Sequence, residues 1–343
     1  MNNNHPLLGI SSGDPAGIGP EVTVKALNDP ATYDKCRPLV ISDGNIIEQI
    51  ISLCGLRLEV NRISEPSEGI YRHGTIDVLD LYNINMITFR FNEISEMNGW
   101  ASFDYVAKAI KLALDHEIDG TVTGPIHKES LQKAGIRYPG HTEIYATLTK
   151  TDDFTMMLAD ERFKVVHVST HLSLADAIAA VKKERIEKVT RLGDAALRRM
   201  GIAHPRIAVA GLNPHAGENG LFGREEIEEI IPAVGQVRLE GINAEGPFPP
   251  DTLFPKMRGG QYDLVVCMYH DQGHIPMKLL GFTYDHTTRK WDAVSGVNIT
   301  LGLPIVRVSV DHGTAFDKAG KNEANPQSML QAIDYAARMC GML

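Results

Sequence analysis

Three histidines are predicted to lie where apolar strands end. They are His171, His215 and His270, and each stands in a polar turn beside Gly, Pro, Asp or Thr. In an open α/β sheet, ligands bind at the carboxyl ends of the strands. Three neutral imidazoles that converge at such an edge would bind a divalent metal and leave coordination positions open for a substrate. A single histidine there is more often only a hydrogen-bonding partner, so the prediction depends on the three together.

The elements that must position these histidines alternate along the chain. Short apolar strands are predicted at 7–11, 38–42, 76–79, 120–123, 164–169, 206–210, 262–268 and 305–310. Helices are predicted at 20–27, 45–54, 101–116, 174–181, 185–200, 224–239 and 326–342. Because helices separate most of the strands, we expect an α/β fold with a mostly parallel sheet. The continuous apolar run at 262–268 is typical of a strand that is buried on both faces.

Composition and charge narrow the class of protein. A chain of 343 residues is long enough for about two domains. Its 34 basic and 43 acidic residues give a formal net charge of −9, and no basic cluster suggests a nucleic-acid-binding protein. Neither a signal peptide nor a transmembrane segment is recognisable. The cysteines match no zinc-binding spacing, so we expect reduced thiols in a cytoplasmic protein; they are Cys36, Cys54, Cys267 and Cys340.

Several polar residues could bind an anionic substrate. His141 and Thr142 lie in Gly-His-Thr-Glu, where imidazole and hydroxyl could hold a phosphate or carboxylate; the alternative is a helix start that Thr142 caps. Arg307 lies inside an apolar strand and needs either an internal ion pair or an anionic ligand. Lys278 and Asn298 are further candidates on the carboxyl-terminal side of His270.

Two segments can each be interpreted in two ways, as part of a binding site or as purely structural. Residues 12–21 read Ser-Gly-Asp-Pro-Ala-Gly-Ile-Gly-Pro-Glu between a strand and a helix. Glycines and a helix N-terminus could accept an anion there, but the dinucleotide fingerprint is absent and a tight structural turn is favoured. Residues 281–297 are polar and turn-rich, and they predict a β-hairpin or flap with its tip near 285–290. The flap would be either a lid beside the site or a plain surface hairpin.

Together these motifs resemble the 4-hydroxythreonine-4-phosphate dehydrogenase family over nearly the whole chain. The resemblance is carried by Gly-Asp-Pro-Ala-Gly-Ile-Gly-Pro-Glu, Thr-Gly-Pro-Ile-His-Lys, Gly-His-Thr-Glu, Ser-Thr-His-Leu, Asn-Pro-His-Ala-Gly-Glu, Pro-Asp-Thr-Leu-Phe, Met-Tyr-His-Asp-Gln-Gly and Asp-His-Gly-Thr-Ala. Two longer stretches are more similar to the branch that acts on D-threonate or D-erythronate 4-phosphate. The connection from Lys278 to Asn298 is longer than in many members, because the flap is extra.

The resemblance implies a two-domain α/β/α fold of the isocitrate/isopropylmalate dehydrogenase type, with the active site in the interdomain cleft at a homodimer interface. The expected domains are 1–125 plus 300–343, with the cofactor loop, and 126–299, with metal and substrate residues and dimer contacts. One divalent metal (Zn, Mg, Mn or Co) would be held by histidines from both subunits, His171, His215 and His270. The implied substrate-binding residues are His141, Thr142, Lys278, Asn298 and Arg307.

The polar loop that begins at Asp311 is similar to the loop of isopropylmalate dehydrogenases that holds the adenosine of NAD. This implies an NAD site, with NADP as the alternative, at His312, Gly313, Thr314, Ala315 and Asn325.

The implied reaction is metal-dependent, NAD-linked oxidation and decarboxylation of D-threonate 4-phosphate or D-erythronate 4-phosphate. Lys278 is the candidate for proton transfer or charge stabilisation, and Asp251 and Asp271 are candidate bases. One alternative substrate is 4-hydroxy-L-threonine 4-phosphate, which belongs to vitamin B6 (pyridoxine) biosynthesis. The alternative from another class is a non-catalytic sugar-phosphate-binding protein that retains the fold.

Overall fold

The structure is a computed structural model that describes residues 5–286, 290–294 and 296–341. The chain divides into two compact units. The first contains the chain up to Asp152 and the segment Leu303–Gly341, and the second contains Asp153–Gly302. Residues 126–152 therefore lie in the first unit, whereas the sequence analysis expected the boundary after residue 125. The reason is helix packing, since the helix that begins at Lys128 lies against the long helix that begins at Glu96.

Strands and helices are numbered along the chain. The strands are β1 (Leu7–Ser11), β2 (Arg37–Ser42), β3 (Glu59–Ile63), β4 (Thr75–Asp80), β5 (Gly120–Thr123), β6 (Thr155–Asp160), β7 (Phe163–His167), β8 (Ile207–Ala210), β9 (Ala244–Phe248), β10 (Leu264–Cys267), β11 (Phe282–Asp285), β12 (Lys290–Val294), β13 (Val297–Leu301) and β14 (Val306–Val310). The helices are α1 (Gly19–Leu27), α2 (Gly44–Cys54), α3 (Glu96–Leu114), α4 (Lys128–Lys133), α5 (His141–Leu148), α6 (Leu174–Ala179), α7 (Lys183–Arg199), α8 (Ile231–Leu239), α9 (Pro250–Arg258), α10 (His270–Gly281) and α11 (Gln327–Cys340).

In the first unit, parallel strands lie side by side in the order β3, β4, β2, β1, β5 and β14. The residues of β1, β5 and β14 are buried throughout. Burial of this kind needs cover from helices, because parallel strands lie in sheets with both faces covered. Accordingly α3 packs against β1, β2 and β5, and α11 packs against β5 and β14.

Side-chain caps fix where several of these helices begin. Asp43 accepts the backbone N–H of Asn45 at the start of α2, and Ser95 accepts that of Asn98 at the start of α3. A cap of this kind satisfies one of the amide groups that the first helical turn leaves unbonded. Both helices therefore begin at a defined point beside the sheet that they cover.

In the second unit, the strand order is β13, β6, β7, β10, β8 and β9. The pairs β13–β6 and β6–β7 are antiparallel, while β7–β10, β10–β8 and β8–β9 are parallel. All four residues of β10 are buried, as the apolar run predicted. Helix α7 packs against β10, β7, β6 and β13, and α9 packs against β10 and β8.

The expected α/β fold is confirmed, and so is the predicted hairpin, because β11 and β12 pair in the antiparallel sense. Part of its predicted tip, residues 287–289, and residue 295 lie outside the described residues. Within the described ranges, no helix is both long enough and apolar enough to cross a membrane. All four cysteines lie in the described ranges, and none of them forms a disulfide bond.

Candidate active site

The loops that follow β1, β5 and β14 meet at the carboxyl edge of the first unit's sheet. The backbone N–H of Asp14 donates to the carbonyl oxygen of Pro125 (2.8 Å), and that of Ile18 donates to the carbonyl oxygen of Thr314 (3.0 Å). Gly13 has a φ of +80°, and a Cβ at this position would lie 2.3 Å from the carbonyl oxygen of Pro125. The glycine-rich turn is thus packed tightly against its own chain, which agrees with its structural interpretation.

A buried guanidinium lies beside this edge. Arg307 is 2% exposed, and its Nη2 donates to the hydroxyl of Thr123 (3.1 Å). Its Cζ lies 5.5 Å from the centre of the Tyr145 ring, a distance that allows a cation–π interaction. Burial lowers the pKa of Arg307 to about 10, so the group remains protonated at neutral pH.

His141 lies in the electrostatic field of Arg307. Burial, and then the charge of Arg307, hold the pKa of His141 well below its usual range, so its imidazole is neutral at pH 7. Its Nε2 is buried without a hydrogen-bond partner among the described residues. Neutral imidazole, with one N–H, can donate to an anion that the guanidinium attracts. The structure therefore brings together two of the predicted substrate residues.

Thr142 is the second residue of α5 and is half-buried. The cap position of this helix is occupied by Gly140, which has no side chain to donate or accept. Thr142 therefore does not cap the helix, which was the alternative to anion binding. It lies next to His141 on the first turn of the helix.

The predicted cofactor loop follows β14 and is fixed to α1. Ala324 donates its backbone N–H to Oε1 of the buried Glu21 (2.7 Å), and Lys25 Nζ donates to both Glu21 Oε1 (2.8 Å) and the Ala324 carbonyl (2.8 Å). At the loop's other end, Ala315 has a φ of +40°. Gly313 is exposed, and a Cβ built on it would meet nothing within 4 Å.

The remaining residues of this prediction lie in the same loop. Nδ1 of His312 is 3.0 Å from the carbonyl oxygen of Gly313, and Thr314 is buried. Asn325 is exposed, and its side chain accepts the N–H of Gln327 (2.8 Å). The loop thus combines a firm attachment near Ala324 with open space over Gly313, where a ligand could approach the backbone.

In the second unit, two of the three predicted metal ligands come together. His171 lies in the turn after β7 and His270 is the first residue of α10, and their ring centres are 6.1 Å apart. Nδ1 of His270 lies 2.6 Å from Oδ1 of Asp271. A carboxylate that holds one ring nitrogen of a histidine leaves the other nitrogen for a metal, an arrangement common in metal sites.

Helix α10 carries a row of basic side chains at intervals of four residues, His270, His274 and Lys278. Because residues i and i+4 lie on one face of a helix, these three share a face. The rings of His270 and His274 are stacked with centres 3.5 Å apart. Nδ1 of His274 lies 2.9 Å from the carbonyl oxygen of His270.

Neither His274 nor a further histidine, which lies behind this row, was among the predicted metal ligands. His167, the last residue of β7, has its ring centre 4.7 Å from that of His274. Burial lowers the pKa of His167 to about 3 and that of His274 to about 4, so both rings are neutral at pH 7. The signal for His274 in the sequence was its four-residue spacing from His270. His167 had no such signal, because the predicted strand 164–169 extends past it, whereas β7 ends at His167.

The third predicted ligand, His215, lies in a turn after β8 and is exposed. Its ring centre lies 6.2 Å from that of Phe222. Within the described part of this single chain, no three His, Cys, Asp or Glu side chains converge as a metal-binding group.

Two further candidates are placed individually. Asn298 on β13 donates from Nδ2 to the sulfur of Met156 (2.7 Å), while its Oδ1 is buried without a hydrogen-bond partner among the described residues. Asp251 is exposed in the first turn of α9.

Comparison with known proteins defines the family. The sequence model described as "Pyridoxal phosphate biosynthetic protein PdxA" matches residues 34–336. A D-threonate 4-phosphate dehydrogenase from Cupriavidus necator is 46% identical over 340 residues, which cover 99% of this chain and 98% of that protein. A 4-hydroxythreonine-4-phosphate dehydrogenase from Desulforapulum autotrophicum is 45% identical over 338 residues, with coverage of 98% and 96%. The crystal structure of a 4-hydroxythreonine-4-phosphate dehydrogenase from Klebsiella pneumoniae is similar with a TM-score of 0.88 at 42% identity, and 99% of each chain is covered.

The α/β fold and these relatives define the class of protein as an oxidoreductase of the dehydrogenase type. The chain belongs to the PdxA family. The family resemblance and the enzyme class that the motifs predicted are both confirmed.

Proposed function

We propose that this protein catalyses metal-dependent, NAD(P)-linked oxidation and decarboxylation of a four-carbon 4-phosphorylated 3-hydroxy acid, D-threonate 4-phosphate or D-erythronate 4-phosphate. The structural observation that carries the proposal is the pair His171 and His270, whose rings lie 6.1 Å apart with Asp271 bonded to one nitrogen of His270. The substrate class follows the Cupriavidus necator relative, at 46% identity over almost the whole of both chains.

The donor set suits a divalent metal. Imidazole nitrogen binds Zn, Co and related ions, and open positions with substrate oxygens would also suit Mg or Mn. When bound, the metal would polarise the C3 hydroxyl of the substrate, and NAD(P) would accept the hydride from C3. In this scheme Asp271 orients His270 and is less suited to act as the base.

The anionic groups of the substrate need a separate set of residues. Arg307 supplies a buried positive charge and His141 a neutral donor, and these two can hold a phosphate or carboxylate without competing water. Thr142 on the same helix turn and Asn298 in the second unit complete the proposed set.

Lys278 is the proposed proton carrier. It lies two helical turns from His270, about 12 Å along the axis of α10, on the same face. In the first step the C3 hydroxyl would give up its proton to Lys278 or to Asp251 through water, and bound NAD(P) would accept the hydride from C3. In the second step the C1–C2 bond of the resulting 3-keto acid breaks, carbon dioxide leaves, and the electron pair stays on C2 as an enolate, which takes a proton at C2 from protonated Lys278 or from water.

We further propose that the active form is a homodimer. Large exposed apolar side chains flank each predicted metal ligand: Leu172 and Leu174 beside His171, Leu221 and Phe222 beside His215, and Ile275 and Leu279 on α10. Patches of this kind mark protein–protein interfaces. A second copy that covers them would also bring a further histidine to each metal site.

The test is NADH formation at 340 nm with purified protein, NAD and a divalent metal. D-threonate, D-erythronate and 4-hydroxy-L-threonine 4-phosphates are assayed in parallel, with light scattering to measure the oligomeric state. We expect turnover of one of the first two acids, its loss on chelation, and carbon dioxide release equal to NADH formed.

The variant that tests the metal scheme is His171→Ala, which should lose both bound metal and turnover. Full activity and metal content in this variant would refute the metal scheme. Preference for 4-hydroxy-L-threonine 4-phosphate would instead support the role named for the Desulforapulum autotrophicum relative. Tight substrate binding without any NADH would indicate a non-catalytic binding protein.

A further inference from the structure

The turn that carries His215 has an unusual backbone. Six consecutive residues have positive φ, with values of 54°, 52°, 80°, 44°, 56° and 94° from His215 to Gly220. They form a single turn of left-handed helix. Two of them, Gly217 and Gly220, are glycines. For the other four, the left-handed conformation brings Cβ too close to the following carbonyl oxygen.

Such a turn needs support from outside itself. Left-handed residues usually occur singly, and a run of them persists only where the surrounding structure holds it. Ala216 donates its backbone N–H to Asn213 (3.1 Å), and Phe222 donates to Gly217 (3.2 Å). These local bonds close the turn, but they do not connect it to the rest of the second unit.

The connection is made by Glu226, which is 2% exposed. Its Oε1 accepts the backbone N–H groups of Leu212 (2.8 Å) and Asn213 (2.7 Å), and its Oε2 accepts Nδ2 of Asn213 (2.9 Å). Both carboxylate oxygens are thus used on the segment that leads from β8 into the turn. Hydrogen bonds to a buried, charged acceptor are stronger than those between neutral groups.

The same carboxylate also packs directly against the left-handed turn. A Cβ built on Gly217 would lie 2.6 Å from Oε2 of Glu226. One built on Gly211, just after β8, would lie 2.9 Å from Cα of Ala216 and 3.3 Å from Oε1 of Glu226. The turn, the end of β8 and the Glu226 carboxylate therefore fit together with no spare room.

We propose that Glu226 is a positioning residue for the metal site, which fixes the left-handed turn and thereby the direction in which His215 is presented. This inference rests on the proposed function, in which His215 is a metal ligand. It assigns the carboxylate no contact with metal or substrate. Glu226 acts through the backbone of Leu212 and Asn213 on a histidine that lies 11 positions earlier in the chain.

The test uses the metal-free protein and Co²⁺ alone, measured by calorimetric titration and by the visible spectrum of the bound ion. Glu226→Gln keeps the size of the side chain but replaces one acceptor oxygen with a donor. We expect this variant to bind Co²⁺ about 10–100-fold more weakly, the usual effect of losing a residue that orients a metal ligand. In ¹⁵N-histidine spectra of the metal-free protein, the His215 signals should move while those of His167 stay.

The matched control is Glu229→Gln, because Glu229 and Glu226 both lie in the helical segment Glu226–Ile230. Glu229 also accepts a backbone N–H, from Lys183 (2.8 Å), and an N–H of the Lys182 ammonium (3.0 Å), and neither of these described hydrogen bonds reaches the turn. Its loss should change Co²⁺ affinity by less than about threefold, as for an ordinary surface substitution. A purely structural role for Glu226 would lower the melting temperature and leave the affinity of the folded protein unchanged.

Each outcome separates this inference from the proposed function. Suppose that wild-type protein binds Co²⁺ and His215→Ala does not. If folded Glu226→Gln then binds Co²⁺ as tightly as wild type and its His215 signals do not move, the positioning role is refuted and the metal site stands. If wild-type protein binds no divalent metal, the proposed function fails, and the His215 signals alone decide whether Glu226 fixes the turn.

A second variant covers the case in which Glu226→Gln does not fold. Asn213→Ala removes one of the three N–H donors to the Glu226 carboxylate, and with it the bond from Asn213 Nδ2 to Glu225 Oε2 (2.7 Å), but it leaves both backbone donors in place. We expect a smaller loss of Co²⁺ affinity and a smaller movement of the His215 signals. Wild-type values for both measurements in this variant would overturn the inference.

Discussion

The left-handed turn predicts that glycine at Ala216 costs less stability than glycine in an ordinary helix. In an ordinary helix, Ala→Gly costs about 1 kcal/mol, because glycine loses more conformational freedom on folding. Ala216, with a φ of 52° and a ψ of 44°, carries instead a left-handed penalty of about 1–2 kcal/mol that glycine would relieve. The substitution also has two costs. Glycine loses about 0.5–1 kcal/mol more in backbone entropy on folding, and removal of the half-buried methyl group costs about 0.4 kcal/mol.

The net change for Ala216→Gly therefore lies between about −0.4 and +1.1 kcal/mol of stability. The control is Ala195→Gly at an exposed position inside α7, in the same unit, which should lose about 1 kcal/mol. Urea unfolding of the metal-free proteins, followed by circular dichroism, measures the difference between the two variants. We expect the Ala216→Gly variant to be more stable than the Ala195→Gly variant by about 0.6–2.1 kcal/mol. Equal destabilisation of both variants would refute the left-handed geometry at Ala216.

Two further predictions concern the first unit. Arg307→Met should raise KM for the phosphorylated acid by about 10–100-fold, because a hydrogen bond to a charged group contributes about 1.5–3 kcal/mol. The control is Arg185→Met. The half-buried Arg185 guanidinium donates its described hydrogen bonds only to backbone carbonyls of the second unit, so its loss should lower stability and leave KM unchanged. Equal effects of the two variants on KM would contradict the role assigned to Arg307. Burial raises the pKa of Asp14 from 3.8 to about 6 in the folded state. The folded state therefore prefers the protonated carboxyl, and the wild type loses up to about 3 kcal/mol of stability relative to Asp14→Asn as pH rises from below 4 to above 6. Urea unfolding at pH 4 and pH 8 measures this, and a pH-independent difference between the two proteins would refute it.

The sequence predicted best the elements whose signals are local. The predicted bounds of β1 and β5 agree with the structure, because each is a short apolar run between turn residues. Helices α9 and α10 were not predicted, since Pro255 and Pro276 lie inside them and proline usually ends a helix. With α10 unrecognised, the shared face of His270, His274 and Lys278 was also hidden, although their four-residue spacing is visible in the sequence.

The antiparallel pair of β6 and β13 was hidden for a different reason. Strands β6 and β13 pair with each other across more than 130 residues of chain, so no turn between them marks a hairpin. The predicted strand at 164–169 extended past the end of β7 at His167, which placed that histidine in mid-strand. The left-handed turn at His215 had no local signal, because its support comes from Glu226.

Both candidate sites place a loop after a strand and fix it with a buried glutamate from a helix. In the first unit, Glu21 accepts the N–H of Ala324, and in the second, Glu226 accepts those of Leu212 and Asn213. A loop has no neighbouring strand to bond its amide groups, so those that are buried need another acceptor. A carboxylate offers several lone pairs at one point and can hold a backbone segment in a conformation that the segment would not keep alone. The sequence shows these glutamates only as charges on helices, and their role follows from the distant amides that they bond.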